Sequence, residues 1–281
     1  MFHAGKIIRR CLISPTVMRL DIHAPSLKMF KPGQWVDFVA KPNEWVGGFS
    51  IVSSPRDLPI VTLAIKKSDH PPATWIHNYL SVNDTVEIRV GGDCTLEEEQ
   101  IHLRPYVFCA GGIGISPILS QYREYLFLRE KATSTTTTIT AAAALNNTSM
   151  FLYSASTIEE LVFADELAQI GSKKGNDRMV FTITESIEEV HDFANKTSTS
   201  SAASTTRSTI VDGCDVTKLS GPKFVHVDQR KGQILIEFLD EAPEDAIYYL
   251  CGPTSMIDDA VQHLSITRKI PLERIKYEKW W

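Results

Sequence analysis

The stretch YVFCAGGIGISPILSQYREYLFLREK, Tyr106 to Lys131, decides the fold. It opens with an apolar run, YVFCA, passes through three glycines in four positions, and continues as ILSQYREYLFL, whose apolar residues recur at helical spacing. That order predicts a strand, a tight turn and an amphipathic helix. Glycines at 111, 112 and 114 allow close backbone approach, and the unpaired amides at a helix start can meet a phosphate. Gly111, Gly112, Ile113, Gly114, Ile115 and Ser116 are therefore candidates for a nucleotide-binding loop. The loop is neither G-x-G-x-x-G nor a Walker loop, which ends in Lys-Ser/Thr, so a turn that only packs strand against helix fits as well.

Working outward, the same alternation returns in MFLYSASTIEELVFADELAQIG, RMVFTITES and AIYYLCGPTSMIDDAVQHLS. Strands that alternate with amphipathic helices imply βαβ units on a parallel sheet. Towards the amino end, from Lys6 to about Leu103, the chain has short apolar runs such as QWVDFVA, IVTLAIKK and TVEIRVGG, broken by Pro, Gly and Asn; only PATWIHNYL reads as helical. Close-spaced strands of this kind predict a small antiparallel barrel. KIIRRCLISPTVMRLDI reads as its first hairpin, turning at Ser14-Pro15. The expected organisation is a barrel domain over 1–103 and an α/β domain over 104–281. Two Ser/Thr-rich segments, 131–149 and 195–209, interrupt the second domain and read as surface insertions, because they carry too little apolar surface to offset the entropy of ordering.

Composition narrows the function classes. A net charge of -5 over 281 residues gives no broad basic face, which argues against a nucleic-acid partner. No window reaches the roughly 18 apolar residues of a membrane-spanning helix. The five cysteines are odd in number and never spaced C-x-x-C, so neither a disulfide framework nor a metal site is expected, and a reducing intracellular compartment, cytoplasmic or mitochondrial, fits best.

A second turn, YYLCGPTSM (Tyr248–Met256), sets Cys251 at the carboxyl end of a parallel strand, where open α/β sheets bind ligands. A buried cysteine ending a core strand accounts for it equally.

PGQWVDF, GFSIVSSP, AGGIGISPILS, FLYSAS and YYLCGPTSM occur in the order and spacing of the ferredoxin–NADP reductase superfamily, which this chain resembles over nearly its whole length outside the two insertions. VGGFSIVSSP, HPPATWIHNYL and the ending YEKWW look like the oxidoreductase NAD-binding domain-containing proteins within it. The resemblance implies an antiparallel β-barrel flavin-binding domain followed by an α/β pyridine-nucleotide-binding domain, the two cofactors meeting at the cleft. It puts Phe49 against the isoalloxazine ring and the Ser50 hydroxyl near flavin N5, flanked by Gly48 and Ile51. Beyond the glycine loop, it assigns the nucleotide to Ser154, Cys251, Gly252, Pro253 and Met256, with Ser50 and Cys251 beside the reacting rings.

One position departs from the superfamily pattern. Gly47 stands where an arginine would bind the flavin diphosphate, so FAD is held otherwise, is replaced by FMN, or is absent. Thr74, read as the N-cap of the helix in HPPATWIHNYL, offers one compensating anion site, with Lys66 and Lys67 just before it. Residues 154–171 hold no Lys or Arg but four acids, which favours NAD(H) over NADP(H). Trp281, with Trp280, is either a displaceable lid over the flavin or the closure of the last strand's core. The expected activity is hydride transfer from NAD(P)H to flavin, with a haem or iron–sulfur protein as a plausible acceptor; the alternative is an NAD(H)-binding sensor or scaffold without flavin.

Overall fold

The computed structural model describes residues 1–40, 45–135, 149–174, 177–184 and 234–280. Six strands, β1 (His3–Leu12), β2 (Val17–His23), β3 (Trp35–Ala40), β4 (Trp45–Ser50), β5 (Ile60–Lys66) and β6 (Thr85–Gly91), form an antiparallel sheet in the order β4-β3-β6-β1-β2-β5. Its two edges meet just past β4. Ile51 bridges Leu63, and the Val52 N–H donates to the Thr62 carbonyl at 2.9 Å. Closure removes the exposed edges, as a small barrel requires. The β1–β2 turn is fixed by Ser14, whose hydroxyl accepts from the Thr16 and Val17 amides. Helix α1 (Pro71–Asn78) drives Ala73 and Ile76 into the barrel core beside Ile7, Leu20, Val36, Phe38 and Leu63.

The second half is a parallel sheet of β7 (Tyr106–Gly111), β8 (Ser149–Ala155), β9 (Arg178–Ile183), β10 (Ile247–Pro253) and β11 (Ile275–Trp280), ordered β11-β10-β7-β8-β9. Helices α2 (Ile115–Thr135), α3 (Ala164–Lys174), α4 (Ile234–Leu239) and α5 (Thr254–Gln262) accompany it. All six residues of β7 are buried, as a strand covered on both faces should be. Tyr106, Phe108 and Ala110 face one apolar cluster, Val107 and Cys109 the other. Helix α2 covers the first with Ile115, Ile118, Leu119, Tyr122 and Tyr125, the three-and-four spacing seen in the sequence.

Helix α2 runs to Thr135, so the first five residues of the segment read as an insertion at 131–149 are its last turns, and Ser149 already belongs to β8. A helix can continue through Ala and Thr when its preceding turns are buried. Asp177 gathers both ends of that segment: the Arg129 guanidinium donates to its two oxygens at 2.6 Å each, and the Ser149 N–H donates at 3.1 Å. The second insertion, 195–209, lies outside the described residues.

The halves share one core and a polar seam. Val17, Val52 and Ala64 of the barrel belong to the cluster built on β7 and α2. The Ser120 hydroxyl donates to the Ser53 carbonyl at 2.7 Å, and Arg123 donates to the Val52 carbonyl at 2.7 Å while pairing with Glu166. Glu124 takes Arg56 at 2.8 Å and the Ser54 hydroxyl at 3.0 Å. On the far side Glu160 is held by Lys66 at 2.9 Å and by the Thr16 and Ser14 hydroxyls. Burial alone would raise the Glu160 carboxyl, but these hydrogen bonds outweigh it and hold it below its ordinary value.

Candidate functional site

The glycine loop is a 3-10 turn, Gly112–Gly114, between β7 and α2. Its glycines do different jobs. A Cβ at Gly114 would stand 2.3 Å from the Cys251 carbonyl oxygen, and one at Gly111 would stand 2.5 Å from Met256 Sδ. A Cβ at Gly252 would meet Met256 Cε at 2.5 Å and the Gly111 backbone at 3.0 Å. These three glycines let the ends of β7 and β10 lie against each other, with Met256 wedged between them. Gly112 has φ +52, a conformation glycine adopts freely, and nothing stands within 4 Å of an added Cβ. The loop therefore presents open backbone at Gly112 alone.

Ser116, in the first turn of α2, is 2% exposed and its hydroxyl has no partner. A buried hydroxyl left unpaired costs about 1–3 kcal/mol, so such a group at a helix start beside an open loop is one that a ligand would satisfy. Ser154 pairs with Gly111 at the adjoining end of β8 and is buried. Pro253, facing Trp280 across β10 and β11, is exposed. Ile115 and Ile51 are fully buried in the two cores, so only their backbones could touch a ligand. Ile113 packs against the shared core, half-buried.

Cys251 ends β10 with 1% exposure, and its sulfur accepts from Trp280 Nε1 at 3.0 Å. Burial, followed by the Glu278 carboxylate, raises its thiol well above the usual range, so it stays neutral. It can pack and accept hydrogen bonds but is no thiolate. Trp280 packs on the shared core, whereas Trp281, the residue read as a lid, lies outside the described residues.

Beside Cys251 the residues Cys94, Pro117, Ile118, Gln121, Leu250 and Glu278 converge on a crevice too narrow for a water molecule. Burial, reinforced by Asp93, raises the Glu278 carboxyl to about 7 from an ordinary 4.5. Its neighbours on β11 do not neutralise it: Lys276 pairs with Glu97 at 2.6 Å and Lys279 with Asp258 at 2.5 Å. Cys94 is pushed up to about 12, burial again leading. Gln121 donates to the Cys94 carbonyl at 2.8 Å, while its own Oε1 is buried without a partner. Glu278 and Gln121 were not foreseen from sequence. Their chemistry arises only when residues from β6–β7, α2 and β11 converge, and no local pattern encodes that.

On the barrel, the register sets Ser50 opposite Trp35 and Gly48 opposite Asp37, on the face away from the barrel core. Trp35 lies flat on two glycines; Cβ atoms there would meet its ring at 2.8 Å, from Gly91 and from Gly92. Ser50 is 7% exposed, whereas Gly48 has open space above it. Phe49 points the other way, half-buried against the barrel core, with Phe38 edge-on at 6.1 Å. Its ring covers Gly47: an added Cβ would lie 2.8 Å from Phe49 Cε2 and 2.8 Å from Pro72 Cβ.

Thr74 is not an N-cap. The helix begins at Pro71 with His70 in the cap position, because two prolines have their φ already set for a first turn. Thr74 lies within the helix; its hydroxyl donates to the Ser68 carbonyl at 3.0 Å, and its N–H already donates to the His70 carbonyl. Lys66, the other expected phosphate partner, is turned to Glu160. Glu160 and Glu166, two of the four acids of 154–171, serve the domain seam.

A closed antiparallel barrel joined to a parallel sheet with an open glycine loop at its carboxyl edge is the architecture found in pyridine-nucleotide-dependent oxidoreductases of the ferredoxin–NADP reductase kind. The ferric reductase NAD binding domain matches residues 106–265. Oxidoreductase NAD-binding domain-containing protein 1 of Bos taurus is 32% identical over 285 residues, covering 99% of this chain and 80% of that protein. This chain belongs to that family. Among solved structures, the Amycolatopsis cytochrome P450 reductase GcoB superposes with a TM-score of 0.71 at 16% identity, over 99% of this chain and 69% of that one. A Neisseria gonorrhoeae ferredoxin NADP+ reductase with bound FAD and NADP gives 0.66 at 19% identity, over 100% and 99%. No described helix is long and apolar enough to cross a membrane.

Proposed function

We propose that the chain takes hydride from NAD(P)H at the carboxyl edge of the parallel sheet and passes it to a flavin lying on the outer face of β3 and β4. The observation that carries this is the pairing of open backbone at Gly112 with the unpartnered Ser116 hydroxyl at the start of α2. A dinucleotide phosphate would accept from the Ser116 hydroxyl and lie against the open Gly112 backbone, with the helix dipole favouring its charge; the Ile115 N–H is already spent on the Gly112 and Ile113 carbonyls. Gly111, Gly114, Gly252 and Met256 hold the loops in contact beneath it, Ser154 borders it on β8, and Cys251 supplies a neutral, apolar wall.

A flavin, when bound, supplies an acceptor for hydride at N5 and can release electrons singly to a haem or iron–sulfur protein. The Ser50 hydroxyl is one polar group on the ring side, which also carries the Asp37–Arg89 ion pair; it can donate to a ring nitrogen or accept from it. The two sites are held in fixed relation by the seam. Ser53 is bonded to Ser120, which puts Ser50, the end of β4, three residues along the chain and Ser116 one helical turn away. The Glu278 carboxyl, raised to about 7 by burial, lies close to Cys251 and changes charge near neutral pH. NAD(H) is favoured as donor: residues 154–171 carry no Lys or Arg for a 2′-phosphate, and the nearby cations Lys66 and Arg123 are already paired.

Steady-state reduction of added flavin by NADH and by NADPH tests the reading. A higher kcat/KM with NADH supports it. Binding of NADH without reduction of any flavin would favour a sensor or scaffold module.

A further inference from the structure

The corner of the barrel that would hold a flavin diphosphate is closed, while the surface that would hold a flavin ring is open. Three observations close the corner. The Phe49 ring and Pro72 Cβ fill the space above Gly47 where a longer side chain would leave the strand. Helix α1 starts with Pro71 and Pro72, which have no N–H, and Thr74 N–H is spent on His70, so Ala73 is left as the lone early amide. Lys66 is fixed on Glu160 across the domain seam. Lys67, near the helix start, is exposed, where an ion pair contributes no more than about 1 kcal/mol. The ring surface is different: Gly48 is open, Ser50 lies on the same face, and Trp35 is laid flat on Gly91 and Gly92 beside it.

Resting on the hydride-transfer reading above, we infer that this chain recognises the isoalloxazine ring alone, so that flavin is a diffusible substrate accepted alike as riboflavin, FMN or FAD rather than a retained prosthetic group. The balance is closed: NAD(P)H gives a hydride to flavin, one proton is taken up from the medium, and NAD(P)+ and dihydroflavin leave. Affinity that depends only on stacking and one or two hydrogen bonds is modest, because a phosphate held by charge-assisted bonds would add the larger share.

The test is to titrate the full chain with riboflavin, FMN and FAD by calorimetry or quenching of flavin fluorescence, and to pass each mixture through a desalting column. Dissociation constants within about threefold of one another, with colourless protein after the column, are the expected result. FAD bound tenfold or more tightly than riboflavin, or retained in stoichiometric amount, overturns the inference and leaves the hydride-transfer reading standing. No binding of any of the three overturns both.

Discussion

Two glycine-rich stretches in this molecule, a loop and a strand, look alike in sequence and are opposite in structure. In AGGIGISP the loop glycines divide the work, two, Gly111 and Gly114, permitting two strand ends to touch and one, Gly112, leaving backbone open beside an unpartnered hydroxyl. In WVGGFS the first glycine is roofed by Phe49 and Pro72 and only the second is open. A glycine run therefore marks close approach without saying what approaches. At the sheet edge space is left for a ligand. At the barrel corner the chain's own aromatic ring and proline have taken it.

The comparison is broken most severely at Gly114. Gly114→Ala pushes a methyl group into the Cys251 carbonyl, which can yield only by moving β10 from α2. Overpacking against backbone should lower stability by about 3 kcal/mol and abolish NADH binding together, read by thermal melting and calorimetry. At the barrel, Gly47→Ala should lower stability by about 1–3 kcal/mol, because its Cβ meets the Phe49 ring and Pro72. The adjacent Gly48→Ala should stay within about 0.5 kcal/mol of the parent and weaken flavin binding instead. Equal losses from the two would refute the distinction between a filled and an open glycine.

Ser116→Ala sharpens the nucleotide side. Removing an unsatisfied buried hydroxyl should leave the melting temperature unchanged or raised, while NADH affinity falls about fivefold, one hydrogen bond's worth. A lowered melting temperature with unchanged affinity would mean that the hydroxyl serves the fold. The smallest effect concerns Glu278. Its carboxyl is raised, so the folded state binds the proton more tightly than the unfolded chain; stability is full below the ordinary 4.5 and declines as pH rises towards about 7. Glu278→Gln should flatten that decline in chemical denaturation at stepped pH, and an unchanged slope would show that other groups cause it.

Much of the architecture was legible because it is periodic. YVFCA alternates sides between two cores, ILSQYREYLFL lays Ile118, Tyr122 and Tyr125 on one helix face, and glycine punctuation separates them. The reading failed where contacts are non-local. Thr74 resembles a cap only until Pro71 and Pro72 are seen to begin the helix a turn earlier. Glu160 and Glu166 are only two acids among four in a linear text, yet they form the seam with Lys66 and Arg123. Ile51 and Ile115 occupy site positions with their side chains turned into the cores. Glu278 gains its proton affinity from burial beside Asp93, some 185 residues away in sequence, and neither residue hints at the other.

The measurement that bears most directly on the central claim is an anaerobic titration of purified protein and riboflavin with NADH, followed in the visible flavin band. Bleaching in proportion to added NADH, dependent on the protein and lost with Gly114→Ala, is the expected result. A band that persists at every NADH concentration, with NADH shown to be bound, would contradict it.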